Sequence, residues 1–402
     1  MPQNWNTYKL GEIADLVKDS AKPVDIQDEK YIGLEHIGQG SFRLEGIGSG
    51  DEVSSNKYRF EQGDILYGKL RPYFQKVYRP NFTGVCSTDI FVIRNKTNEI
   101  NQAYLYQIIR DNRFTDKAME ANKGTRMPRA DWNYLSDWEI NLPPLPEQKA
   151  IAAILSALDD KIELNLQMNK TLEKMAMTLY KHWFVDFGPF QNGKFIESEL
   201  GMIPEGWEVK TIYDLMDVIY GAPFKSKQFN EDGLGYPLIR IRDLKTNSPK
   251  FYTAEDHKKK TVIKAGDVLA GMDAEFDPYV WLGDEAVLNQ RVVYFKPKHE
   301  NVVRRYIYEA VKPWLKYFAG AKVGTTVIHL GKGDVDTFKF IFPNDKTILK
   351  EFNSQMENIH ELIVNNGEQI KTLTKTRETL LPKLISGEVR VKQAEDIVKD
   401  NI

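Results

Sequence analysis

Trp5, in the stretch NWNTYKLGEIADLV, has a counterpart 202 residues on, at Trp207 of GWEVKTIYDLMDVI. The Gly63–Asp64 turn of FEQGDILYG matches Gly266–Asp267 of VIKAGDVLAG at an offset of 203, and Gly124–Thr125 of NKGTRMP matches Gly324–Thr325 of KVGTTVI at 200. GVCSTDIFVIRNK and EAVLNQRVVYFKPK lie between the last two pairs in the same order. Each pair alone is common turn or strand chemistry. The near-constant offset carries the inference: the chain is one design written twice. Its 402 residues are also too many for one ordinary core.

The punctuation agrees. In NLPPLPEQKAIAAIL, Asn141 to Leu155, the prolines at 143, 144 and 146 stop regular structure, and Glu147 onward has the acidic start and apolar spacing of a helix. FKFIFPNDKTILKEF, Phe338 to Phe352, combines a strand-like run, a proline and a second helix start. The expected fold class is therefore α+β, with two similar mixed units and two long helices. One unit covers 1–145, a spacer helix and its exit 146–200, the second unit 201–343, and a final helix and tail 344–402. Runs such as DIFVIRN and RVVYFKP, set between Gly, Asn and Asp turns, make both units rich in short strands.

Both helices carry a seam. In the first, Ile151, Ile154, Leu158, Leu172, Met175 and Leu179 fall on alternating three- and four-residue steps, widened by Leu155, Ile162 and Trp183. In the second, Phe352, Met356, Ile359, Ile363, Ile370, Leu373 and Leu380 repeat the pattern, while Asn165 and Asn366 interrupt the two seams as register-setting polar residues do. Each helix could pack on its own unit alone, but seams running for about five heptads favour the two pairing, and an antiparallel coiled coil is expected. A helix from Glu147 to Trp183 is roughly 55 Å long. If the pair is antiparallel, a pseudo-twofold axis relates two heads at a set spacing. That suits duplex DNA, whose half-sites one turn apart, about 34 Å, present the same groove on one face.

Composition narrows the setting. Cys86 is the single cysteine, so no intrachain disulfide forms; MPQNWNTYKL has no basic and apolar leader pattern, and no apolar run is long enough for a membrane span. A cytoplasmic location is expected. The net charge of −2 argues neither for nor against nucleic acid, because a binding face needs only local positive charge.

Catalytic motifs are missing. NLPPL lacks the aromatic and the spacing of an amino-methyltransferase motif that would hold a flipped base; GIGSGD at Gly46 reads as a turn, and GKGDVD at Gly331 is no phosphate loop. The six histidines include no pair at metal-ligand spacing, and His257 in HKKK reads as part of a solvated face. The chain is expected to be non-catalytic and to carry no cofactor of its own.

Candidate DNA contacts follow from charge. YGKLRPYFQKVYRP carries Lys69, Arg71, Lys76 and Arg79 among aromatics with no acidic residue, so it is either a phosphate-binding segment or a strand pair with one solvated face. NKGTRMPRADW adds Lys123, Arg126 and Arg129 on a loop. The second unit has Asp273, Glu275 and Asp277 opposite the basic segment, as loop caps or as acceptors for cytosine amines. Its basic candidates are Lys225, Lys227 and Lys322, with Arg240 and Arg242 expected to share one strand face. Divergence between the units predicts unlike half-sites.

LPPLPEQKAIAAILSALDDKIELN after the first unit, IPEGWE opening the second and LLPKLISGEVRV near the end together resemble the specificity subunit of type I restriction-modification enzymes, over essentially the whole chain. FPNDKTILKE departs from the pattern where the second copy should repeat LPPLPEQKAI. The resemblance implies two target recognition domains reading a split DNA site, with two methyltransferase (modification) subunits and motor-nuclease (restriction) subunits as partners. S-adenosylmethionine, ATP and Mg would belong to those partners. The competing expectation is a two-headed coiled-coil scaffold that binds protein or RNA. A third is a fragment of a fused enzyme whose catalytic motifs lie on an adjoining segment.

Overall fold

The computed structural model describes residues 4–120, 127–273, 276–321 and 328–401. The chain divides into unit 1, Met1–Ile162 with Thr372–Ile402, and unit 2, Glu163–Lys371. The boundary runs through both long helices, so each unit holds part of each, and the helices do not stand apart as segments 146–200 and 344–402. Their apolar faces are buried within the units they enter.

The duplication is visible in strand order. Unit 1 opens with Asn6–Lys9 paired antiparallel to Glu139–Leu142; unit 2 opens with Trp207–Thr211 paired antiparallel to Lys339–Pro343. A four-stranded antiparallel sheet follows in each. Its order is Ala14–Val17, Ile90–Asn95, Ile65–Gly68, Val77–Tyr78 in unit 1 and Met216–Tyr220, Val292–Pro297, Val268–Gly271, Pro278–Val280 in unit 2. The central strand is buried in both, Ile90, Phe91, Val92 and Ile93 against Val292, Val293, Tyr294 and Phe295, as expected of an apolar run covered on two faces.

A five-stranded sheet completes each unit, and here the copies diverge. Both contain the parallel pair Lys30–Ile32 with Gly84–Cys86, or Tyr236–Ile239 with Ala286–Leu288. The added edge strand differs: Ser20–Ala21 lies beside Lys57–Phe60 in unit 1, whereas Phe229–Asn230 lies beside Tyr252–Thr253, at the other end of the sheet, in unit 2. Only Gly fits at Gly50, where an added Cβ would sit 1.7 Å from the Ile26 carbonyl oxygen. The GIGSGD stretch is thus a strand and turn packed close on neighbouring backbone.

The first long helix spans Leu145–Phe184, starting two residues before the sequence suggests because Pro146 is accommodated in its first turn. A one-turn 3-10 helix, Lys346–Leu349, precedes the second, Lys350–Ser386. In both units the helix segments run antiparallel, since rising numbers on one meet falling numbers on the other: Glu147 with Arg390 and Asp159 with Arg377 in unit 1, Asn165 with Gln369 and Asn169 with Asn366 in unit 2.

The seam residues divide accordingly. In unit 1, Ile151, Leu155, Leu158, Ile162, Leu373 and Leu380 are buried, and Ile154 is half-buried. In unit 2, Phe352, Met356, Ile359 and Ile363 are buried, Leu172 and Leu179 pack against the same core, and Ile370 is half-buried. Met175 is 54% exposed and does not belong to the seam: Ala176 takes the buried position next to it. The two readings of the helices are both realised, because Phe184 and Phe352 also pack on Tyr306 and Phe342 of the unit itself. Asn169 and Asn366 form a buried hydrogen bond of 2.8 Å, and Asn165 reaches Gln369 at 3.0 Å. Sliding the pair would leave these amides unsatisfied, so they hold the register.

Two of the stretches that carry the resemblance have structural roles. Gln148, almost fully buried, donates to the carbonyls of Glu99 and Pro143 and accepts from the Asn101 amide, latching the helix start to the turn that caps helix Gln102–Arg110. Glu147 pairs with Arg390 at 2.9 Å, joining the PEQ and GEVR stretches within unit 1.

His360, on the second helix in unit 2, is 1% exposed, and its Nε2–H donates to the Gly266 carbonyl at 2.8 Å. Burial, against the help of that hydrogen bond and with Arg304 and Arg305 nearby, pushes its pKa from 6.5 down to about 4. The unfolded chain therefore gains a proton below pH 6.5 that the folded chain refuses. This stability is fully present above pH 6.5 and is lost as the pH falls toward 4, by about 3 kcal/mol in all. Urea midpoints measured between pH 7 and 4.5 should fall more steeply for the natural chain than for His360→Gln; identical slopes would contradict this.

Candidate nucleic-acid interface

In unit 1 the strand Ile65–Gly68 leads straight into Lys69, where three segments meet. The Lys69 amide donates to the Asp89 carbonyl at 2.9 Å, the Ala130 amide donates to the Lys69 carbonyl at 2.8 Å, and Leu70 pairs with Arg129 in an isolated antiparallel bridge. Asp89 then holds two cations, Arg129 at 3.3 Å and Lys69 at 3.9 Å. Lys69 also stands 5.8 Å above the Phe91 ring. Beside this junction lies a 470 Å³ cleft lined by Lys18, Tyr58, Lys69, Phe91, Arg129 and Trp132 among others, the mixture of cations and ring faces that suits a polyanion bearing flat bases.

Arg71 enters the next turn at φ 53°, and Gln75 leaves it at φ 47°. A left-handed non-glycine residue costs of order 1–3 kcal/mol and is commonly found where a turn serves binding. The Arg71 amide is fastened to the Pro128 carbonyl at 2.8 Å, so the strained turn and the 128–130 segment form one surface.

The other basic residues of this stretch are placed differently from the expectation of one basic row. Lys76 is used internally: its ammonium donates to the carbonyls of Leu34 at 2.5 Å and Ile37 at 2.7 Å. Arg79 is exposed but lies at the far end of the hairpin, its Nε 3.4 Å from the Gly63 carbonyl. Period-two alternation and the reversal of the hairpin separate the four cations. Lys123 and Arg126 lie outside the described residues.

Unit 2 repeats the junction bond for bond. The Met272 amide donates to the Arg291 carbonyl at 3.0 Å, the Leu330 amide donates to the Met272 carbonyl at 2.8 Å, and Asp273 bridges His329 as Leu70 bridges Arg129. The side chains are not repeated. Arg291 stands where unit 1 has Asp89, Met272 where it has Lys69, Asp273 where it has Leu70 and His329 where it has Arg129. His329 Nδ1 is 2.8 Å from Asp273 Oδ1, which makes it the protonated, donating nitrogen, and Arg291 Nε lies 3.5 Å from the same carboxylate.

Lys225 and Lys227 are exposed on the turn around Ser226–Gln228, whose preceding residue Phe224 packs with Leu238 and Val287 of the five-stranded sheet. Arg240 and Arg242 do not share a strand face. The strand ends at Ile239, and Ile241–Asp243 is a 3-10 turn. Arg240 is held by Asp243 at 3.1 Å and stacks 4.3 Å from the Phe251 ring, while Arg242 is exposed; the buried carboxylate of Asp243 caps the turn and ends the alternation. Asp277 is exposed, and Glu275 and Lys322 lie outside the described residues. Among the described residues no helix is long and apolar enough to cross a membrane.

Sequence reasoning missed Asp89, Arg291 and His329. The repeat alignment held the signal, since GVCSTDI set against VLNQRV opposes Asp89 with Arg291 at the head of matching strands.

Comparison with known proteins agrees with this duplicated architecture. The family described as type I restriction modification DNA specificity domain matches twice, over residues 2–174 and 204–372. The type I restriction enzyme MjaIX specificity subunit of Methanocaldococcus jannaschii is 30% identical, covering 98% of this chain and 95% of that protein. The HindI specificity subunit of Haemophilus influenzae is 25% identical over 96% of this chain and 100% of its own length. A solved S subunit of a type I restriction-modification system from M. genitalium shares the fold, with a TM-score of 0.57 and 15% identity over 95% of this chain and 96% of that one. Two family matches in tandem and relatives aligned end to end show that this chain belongs to the specificity subunits of type I restriction-modification systems, the non-catalytic components that recognise DNA sequence.

Proposed function

We propose that each unit reads one half of a split, asymmetric DNA target through its three-segment junction, and that the chain brings methyltransferase and restriction subunits to that target. One observation carries this reading: the backbone of the junction is the same in both units, while every side chain on it has changed. A shared frame with diverged side chains is what two unlike half-sites require, because frame contacts position and side chains specify. The two antiparallel helix pairs, one in each unit, favour two modification subunits. S-adenosylmethionine, ATP and Mg are then requirements of the partners. The scaffold reading, with protein or RNA on the heads, is not favoured by the comparisons.

Methylation mapping tests the proposal. DNA from cells expressing this chain with its methyltransferase subunit should show a split, asymmetric, adenine-methylated motif that is absent when the methyltransferase is expressed alone. A stable complex that modifies no new motif would overturn it.

A further inference from the structure

We infer that Arg291 and Asp273 are the specificity-determining pair of unit 2, reading a base edge with the donor and the acceptor in exchanged positions relative to the matching junction of unit 1. This rests on the junction facing duplex DNA.

The two junctions differ in what they offer. In unit 1 the groups around Asp89 are donors, the Lys69 ammonium and the Arg129 guanidinium, with the carboxylate between them. The acceptor of unit 1 thus sits at the head of strand Ile90–Asn95, and its donors sit on the two segments opposite. In unit 2 a donor and an acceptor stand side by side: Arg291, whose side chain is 54% exposed, and Asp273, 25% exposed, 3.5 Å apart. His329 takes one carboxylate oxygen at 2.8 Å and steers Asp273 beside Arg291. A carboxylate has about four acceptor positions, so capacity remains after those two contacts. A donor next to an acceptor matches adenine, which presents the N7 acceptor beside the N6 amine.

The inversion is not a by-product of packing. Met272 and Leu330 follow the backbone pattern of Lys69 and Ala130, so the fold holds either charge arrangement on the same stitches. Both residues of the pair stand at the mouth of the junction, where strand Val268–Gly271 ends and strand Val292–Pro297 begins.

The test is methylation mapping of cells carrying the methyltransferase subunit with the natural chain, Asp273→Leu, Arg291→Lys or, on the solvated HKKK face, Lys258→Ala. Leucine is what unit 1 carries at this bridge position, and lysine keeps the charge while losing the two-pronged fork. We expect discrimination at one base pair of the second half-site to relax by roughly 5- to 150-fold in both junction variants. The first half-site and the spacer should be unchanged, and Lys258→Ala should keep the full motif. Should Asp273→Leu yield no methylation at all, the Arg291→Lys motif decides. A second half-site left intact, or both half-sites weakened equally, would overturn the inference. If the natural chain itself directs no split motif, the underlying function fails instead, and the two failures are distinguishable.

Discussion

Asp159→Ala should destabilise unit 1 by about 3–5 kcal/mol, the cost of leaving buried charge without its partner. Asp159 joins three elements. Its carboxylate accepts from Arg110, whose side chain is wholly buried, and from Arg377 on the second long helix at 3.0 Å. Both guanidinium groups also face the Phe42 ring, at 4.9 and 5.5 Å. Arg110 Nε already lacks a hydrogen-bond partner. Removing the carboxylate leaves two cations beside each other in a poorly solvated site, so repulsion adds to desolvation. Hydrogen exchange on the full chain should show the loss concentrated in amides of 1–162 and 372–401, with Asp159→Asn intermediate. A loss below about 1 kcal/mol would mean that water reaches these arginines freely and that the pair is an ordinary surface contact.

Phe184→Ala should cost unit 2 a similar amount, about 3–5 kcal/mol, for a different reason. Phe184 is 5% exposed and is the hub of an aromatic cluster, with ring centroids 5.0 Å from Tyr306, 5.0 Å from Phe352, 5.3 Å from Tyr180 and 5.5 Å from Trp207. Rings of this size cannot close the cavity without leaving their rotamers, so collapse recovers little of the lost contact. Denaturation followed by exchange should place this loss in 163–371. Phe184→Leu, which keeps most of the volume, should recover part of it. Equal losses for leucine and alanine would contradict a packing origin.

The repeat and the seams were legible because they rest on one-dimensional rules. Offset, proline punctuation and three- and four-residue apolar spacing survive in the chain as written, and the structure reproduces them down to the Asn366–Asn169 bond that holds register. Met175 was misplaced because a seam at helical spacing accepts neighbouring residues, and only packing selects Ala176. The site was less legible. Lys76 looked like a phosphate contact and is a brace between two carbonyls; Arg240 looked like half of a strand face and is ion-paired to Asp243 at the start of a 3-10 turn. A cation in a sequence does not say whether its donors are already spent.

By itself, then, the sequence determined that this protein has two like units and two long helices with apolar seams, and its motifs marked the family. Periodicity and repetition require only the order of residues. Tertiary structure decided which charges meet. Asp89 with Lys69 and Arg129, Arg291 with Asp273 and His329, and Asp159 with Arg110 and Arg377 all join segments far apart in the chain. Electrostatic partnership depends on distances of a few ångströms and on exclusion of water, and neither exists until the strands and helices have packed.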